Sequence, residues 1–142
     1  MIAQQTVLIL GAGASHPYCF PTAAMLKTQI CQEFRNENAE PSGVLGDSSG
    51  HSPGEFVKLE NALARSGQQS VDAFLEHRTE FIEVGKLAIA YCLIPFETAH
   101  NLFQDDSNCG GRGGDWYQYL FGRLNAPFEE FSQNKLSVIT FN

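Results

Sequence analysis

Basic residues are scarce in this chain: 9 Lys and Arg stand against 16 Asp and Glu, for a formal net charge of −7. With no basic stripe, the long-range field disfavours nucleic acid and anionic membrane surfaces, and neither partner is expected. Cysteine is sparse and scattered. Cys19, Cys31, Cys92 and Cys109 form no C-x-x-C pair, which removes the usual nucleus of a structural zinc site, and they read as small buried hydrophobes in a reducing cytosol. No apolar run is long enough to span a bilayer, and no internal repeat is present. The start Met1-Ile2-Ala3-Gln4-Gln5 lacks the positive segment of a secretory leader, so the expected location is the cytoplasm. Two catalytic signatures are missing as well. No Lys-Ser or Lys-Thr closes a phosphate-binding P-loop, and Gly13-Ala14-Ser15-His16-Pro17 is not the G-x-S-x-G elbow of a serine hydrolase.

What is present is a chain of 142 residues, 43% hydrophobic, enough for one modest core and one domain. Thr6-Val7-Leu8-Ile9-Leu10 is a short apolar run without alternation, the pattern of a parallel strand buried on both faces. It breaks directly into Gly11-Ala12-Gly13-Ala14-Ser15. Gly11 and Gly13 carry no Cβ, so the backbone there can turn sharply and approach a ligand. A helix N-terminus beyond such a turn offers N–H groups and a positive dipole end to a pyrophosphate. The dinucleotide fingerprint G-x-G-x-x-G has His16 at its third glycine here. Leu136-Ser137-Val138-Ile139-Thr140-Phe141 reads as a second buried strand. With no crossover helix behind it, this strand lacks the second half of a doubly wound sheet, and the chain is expected to be an N-terminal part of a larger domain.

The interval between the strands reads as helical. Ala23, Leu26, Ile30 and Phe34 recur at helical spacing behind Pro21 and a Thr22 N-cap. Residues 38–55 shift to Ser, Gly, Pro and acids and predict a flexible excursion. Phe56, Leu59 and Leu63 restore the helical period up to Ser66-Gly67. Ser70 caps a helix whose apolar face is Val71, Phe74, Leu75, Phe81 and Ile82. The run from Leu87 to Ile94 is apolar on all sides, and its alanines decide for helix up to Pro95. The segment from Gln104 to Gly114 reads as loop, and Asp115 caps a helix marked by Trp116, Tyr119, Leu120 and Leu124.

Two of these segments carry a family resemblance. Gly11-Ala12-Gly13-Ala14-Ser15 resembles the Gly-Ala-Gly-x-Ser motif of the sirtuin superfamily, and Pro21-Thr22-Ala23-Ala24-Met25-Leu26 is similar to the segment that follows it in bacterial sirtuin-like NAD hydrolases. Thr140-Phe141-Asn142 resembles the sirtuin Thr-Gln-Asn motif, with Phe141 in place of glutamine. Ser70-Val71-Asp72-Ala73-Phe74-Leu75 and Asp115-Trp116-Tyr117 are weaker similarities to the same group. The resemblance implies an α/β, Rossmann-like sirtuin-type domain over residues 1–142, with a large helical insertion between two buried parallel strands. It implies NAD as substrate, cleaved to nicotinamide and ADP-ribose in antiphage defence, with no metal. Sirtuin deacylases share the Gly-Ala-Gly motif but usually carry a four-cysteine zinc module, so the scattered cysteines favour the zinc-free hydrolase branch. An effector or sensor domain C-terminal to this stretch and a homo-oligomer are compatible with that branch. Two other readings stay open: an NAD-dependent protein deacylase, and a non-catalytic sensor of NAD or ADP-ribose.

By the same resemblance the cofactor-binding residues are Gly11, Ala12, Gly13, Ser15, Thr22 and Asn142, and the catalytic residue is Asn142. Cleaving the nicotinamide–ribose bond develops oxocarbenium-like charge and calls for a group that places water. A carboxamide both donates and accepts hydrogen bonds, so Asn142 can orient a water and hold a ribose hydroxyl, though it takes up no proton. The family's histidine lies downstream of this motif, and this stretch alone is expected to be inactive. His16, His51, His77 and His100 are left outside catalysis. Asp72 reads as an ordinary acid of a first helical turn, Arg112 as solvated loop, and Trp116-Tyr117-Tyr119-Phe121 as core rather than a stacking platform.

Overall fold

The computed structural model describes residues 1–36, 40–103 and 116–140. Along the chain these form β1 (Thr6–Leu10), α1 (Ala23–Glu33), α2 (Glu40–Ser49), α3 (Pro53–Arg65), α4 (Val71–His77), α5 (Ile82–Leu93), α6 (Ala99–Phe103), α7 (Trp116–Leu124) and β2 (Leu136–Thr140), with short 3-10 segments between them. Where composition predicts one domain, the chain divides into two compact units: Pro21–Ala99, and Met1–Phe20 together with His100–Asn142.

The 21–99 unit is helical and holds the core. Thr22 caps α1, its hydroxyl accepting the Met25 N–H at 3.4 Å, and Ser70 caps α4 through the Ala73 N–H at 3.2 Å. On α3 the capping is reciprocal in part: the Glu55 carboxylate accepts both the Ser52 N–H, at 2.7 Å, and the Ser52 hydroxyl, at 3.1 Å. Those bonds hold the Glu55 carboxyl below its ordinary pKa, the backbone N–H being the largest cause. Helical spacing then delivers Ile30 and Phe34 from α1, Phe56, Leu59 and Leu63 from α3, Val71 and Phe74 from α4, and Val84, Ala88 and Cys92 from α5 into one buried cluster. The Phe34 and Phe56 rings stack at 5.2 Å. Each fully buried phenylalanine of this set contributes roughly 1.5–3 kcal/mol. Lys27 also ties α1 to the α3–α4 connection, its Nζ donating to the Gln68 carbonyl at 2.7 Å.

Two expectations fail in this unit. The excursion predicted over 38–55 contains α2 and the first turn of α3. Serine and glycine misread as loop here, because Ser48 and Ser49 return their hydroxyls to the Val44 and Leu45 carbonyls at 2.8 and 2.6 Å. Leu45 packs against the core, and Gly50, at φ +77, ends the helix in the left-handed conformation that glycine accepts most easily. The second failure is at Arg78, where the single helix predicted through Phe81 and Ile82 is broken. Arg78 has φ −129 and ψ 67, and its guanidinium lies over the rings of both Phe74 and Phe81, at 5.7 and 5.1 Å.

The other unit contains the sheet. β1 and β2 pair in parallel with Thr6 opposite Leu136 and Leu10 opposite Thr140. The pairing continues upstream, where the Thr6 N–H donates to the Lys135 carbonyl at 2.8 Å and the Ile2 N–H to Asn134 Oδ1 at 2.7 Å. The strands are parallel as predicted, but they are not buried: Ile9 is 65% exposed and Val138 52%. Two strands shield each other along one edge only, so Val7, Ile9, Val138 and Ile139 stay exposed while Leu8, Leu10 and Leu136 are only partly covered.

Candidate functional site

The glycine turn follows β1 directly. Gly11 is extended, at φ −98 and ψ 179, and a 3-10 helix runs from Ala12 to Tyr18. The sequence predicts a helix N-terminus beyond the turn, and the helix there is 3-10 with Pro17 inside it. Proline has no N–H, so in a 3-10 pattern of i to i−3 bonds the Ala14 carbonyl loses its partner. Trp116 supplies one: its Nε1–H donates to the Ala14 carbonyl at 2.7 Å. The bonds on either side are intact, Ala14 N–H to the Gly11 carbonyl at 2.9 Å and Cys19 N–H to the His16 carbonyl at 3.1 Å.

An aromatic brace completes this support. The Tyr18 hydroxyl accepts the Tyr117 N–H at 3.0 Å, the Trp116 and Tyr117 rings stack at 4.0 Å, and Tyr18 meets Tyr117 at 4.9 Å. Tyr18 is buried. The core expectation for the Trp116–Phe121 aromatics therefore needs correction. Trp116 and Tyr117 brace the segment after the glycine turn, whereas Tyr119 and Phe121 are exposed on α7. The sequence signal for the brace was the pairing of Pro17 with the chain's single tryptophan, which periodicity does not register.

Neither glycine of the turn is demanded by the fold. Gly11 has an ordinary extended φ, a Cβ built at Gly11 or Gly13 meets nothing within 4 Å, and neither residue has a positive φ. Gly11, Ala12, Gly13 and Ser15 share this one segment, with the Ser15 carbonyl accepting the Phe20 N–H at 3.3 Å. Thr22 stands apart in function, its oxygen being committed to the α1 cap. Asn142, like Phe141, Arg112 and Asp115, lies outside the described residues. What the strands do establish is that Leu10, one residue before Gly11, pairs with Thr140, where the Thr-Phe-Asn motif begins.

The remaining residues singled out in the sequence have local roles. His16 Nδ1 lies 3.2 Å from the Phe20 carbonyl, and Asp72 is exposed in the first turn of α4. Cys31 and Cys92 are free, but Cys19 is disulfide-bonded, against the expectation of reduced thiols throughout. Wide spacing along a sequence does not measure the distance between two sulfurs in the fold. Among the described residues no three His, Cys, Asp or Glu side chains gather as a metal site, and no helix is long and apolar enough to cross a membrane. No family model, curated protein or solved structure matches this chain.

Proposed function

We propose that Gly11-Ala12-Gly13 forms the pyrophosphate side of an NAD site, and that this chain is the NAD-binding part of a sirtuin-like, Rossmann-type hydrolase that releases nicotinamide and ADP-ribose. The observation that carries the reading is the bareness of the two glycines. None of the described residues crowds them and no left-handed backbone requires them, so the described fold gives no reason for a missing side chain at either position. Close approach of a ligand does. The parallel register adds support, because it sends the glycine turn and the Thr140 end of β2 off the same edge of the sheet, the edge at which open α/β sheets bind nucleotides. Asn142 then serves as the residue that orients water at the ribose carbon as oxocarbenium character develops. A role in antiphage defence follows only if that chemistry holds.

Gly13→Val tests the reading directly. The position is open, so the variant keeps its fold, and the added branches obstruct only what approaches from outside. Titration of NAD into the whole protein by calorimetry is expected to show affinity reduced tenfold or more, with an unchanged circular dichroism spectrum. Asn142→Ala is expected to keep most of the affinity and lose nicotinamide release, as for a group acting mainly in the transition state. Undiminished NAD affinity in folded Gly13→Val would overturn the assignment. NAD binding without turnover in the wild type would turn the reading to a sensor.

A further inference from the structure

The helical unit carries an open surface groove lined by residues outside the glycine turn. It is an open cleft of about 660 Å³ between the outer face of α3 and the 3-10 turn after α4, a size within the range of small-molecule sites. Its chemistry stands against that of the chain. In a protein where acids outnumber bases 16 to 9, the lining holds Lys58, Arg65 and Arg78 and no carboxylate. Gly54, Lys58, Ala62 and Arg65 follow one another at three- or four-residue spacing along one face of α3, so the two charges line the same opening.

The state of each cation matters. Arg78 is half committed: its Nε donates to Glu80 at 2.6 Å, and its guanidinium covers the Phe81 ring at 5.1 Å. Glu80 is held below its ordinary pKa by that bond and stays charged, which fixes Arg78 at the cleft wall. Lys58 and Arg65, by contrast, have no ion-pair or hydrogen-bond partner among the described residues. The neutral polar groups are already occupied, Asn61 Nδ2 donating to the Val57 carbonyl at 2.9 Å and the Ser66 hydroxyl to the Leu63 carbonyl at 2.7 Å. The groups left for an incoming ligand are therefore two free cations over an apolar floor that includes Val57 and Ala62.

We infer that this cleft binds a phosphate-bearing nucleotide, its diphosphate paired with Lys58 and Arg65 and its base laid on the apolar floor of Val57 and Ala62. Two unpaired cations suit a ligand with at least two negative charges, and the guanidinium of Arg65 presents the fork geometry that grips phosphate oxygens. The inference does not depend on the NAD reading of the glycine turn.

The test titrates adenosine diphosphate, and separately inorganic pyrophosphate, into the protein by calorimetry at low ionic strength. Saturable binding of adenosine diphosphate is expected, weaker binding of pyrophosphate, and a loss of tenfold or more for both in the Lys58→Ala, Arg65→Ala double variant. Both side chains are exposed, so this variant keeps its helical spectrum. The control is Lys86→Ala with Arg123→Ala, which removes the same charge from other helices and is expected to leave affinity within twofold. The titrations are repeated in the Gly13→Val background, where binding at the glycine turn is weakened, and saturable binding that is lost on adding Lys58→Ala and Arg65→Ala is expected to remain there. No saturable binding in the Gly13→Val background, or an equal loss in the control, would overturn the inference.

Discussion

Cys92 shows how far burial resets a single side chain. It sits in the core formed by α1, α3, α4 and α5, and desolvation, with a smaller contribution from Glu33, pushes its thiol up to about 12 from 9.0. A thiol whose pKa rises on folding contributes stability that is whole below 9.0 and is lost as pH climbs from there towards 12, because the unfolded chain ionises first. Denaturation midpoints are thus expected to fall above pH 9, and to fall less in Cys92→Ala. At pH 8, iodoacetamide followed by mass spectrometry is expected to leave Cys92 unmodified until urea is added; native labelling at the rate of an unfolded peptide would contradict its burial. Cys31, raised by burial and by Glu60, reacts slowly by the same logic. Single residues were legible in the sequence where their bonds are local. The Thr22 and Ser70 caps need only a hydroxyl and an N–H three residues on. The Trp116 bond was not legible, since it answers a carbonyl 102 residues away.

At the scale of elements, α4 and α5 meet so closely that a side chain at Gly85 would force Leu75 to shift. A Cβ at Gly85 would lie 2.7 Å from Leu75 Cδ2 and 2.8 Å from Cδ1. Alanine in a helix interior gains about 1 kcal/mol over glycine, whereas overpacking costs about 1–3 kcal/mol, so the clash wins. Gly85→Ala is expected to lower stability by about 1 kcal/mol in urea denaturation. Adding Leu75→Ala should recover part of the loss, giving a double-mutant coupling of roughly 0.5–3 kcal/mol; strict additivity would mean the two helices do not meet there. The same closeness explains what could be read of the helices. Faces with three or more apolar residues at helical spacing, such as Phe56, Leu59 and Leu63, were legible because one periodicity describes both sequence and packing. Helix α2 was not, since its order comes from Leu45 meeting other elements and from serines bonding backward. The break at Arg78 was not legible either, since Phe74, Arg78 and Phe81 keep helical spacing across it. Of the candidate site, the glycine turn and the strand before it were legible, and the 3-10 helix after it was not.

For the whole molecule, the division of the chain follows from where apolar side chains are buried. The contiguous 21–99 unit supplies every member of the buried core cluster, while in the discontinuous unit the described strands stay open to solvent. A peptide of residues 21–99 is therefore expected to fold alone, with a helical circular dichroism spectrum and one cooperative urea transition; a gradual, featureless melt would show that the core needs the rest of the chain. The insertion also has a consequence in time. Helices α1 to α5 gather through contacts near in sequence, which form early, but β1 and β2 lie at opposite ends of the chain and must close a long loop before any strand bond forms. On the ribosome, Thr6–Leu10 emerges first and waits for Leu136–Thr140. For that interval the most apolar segment of the chain is a solitary strand with both edges bare, and the yield of folded protein rests on how quickly its partner is made.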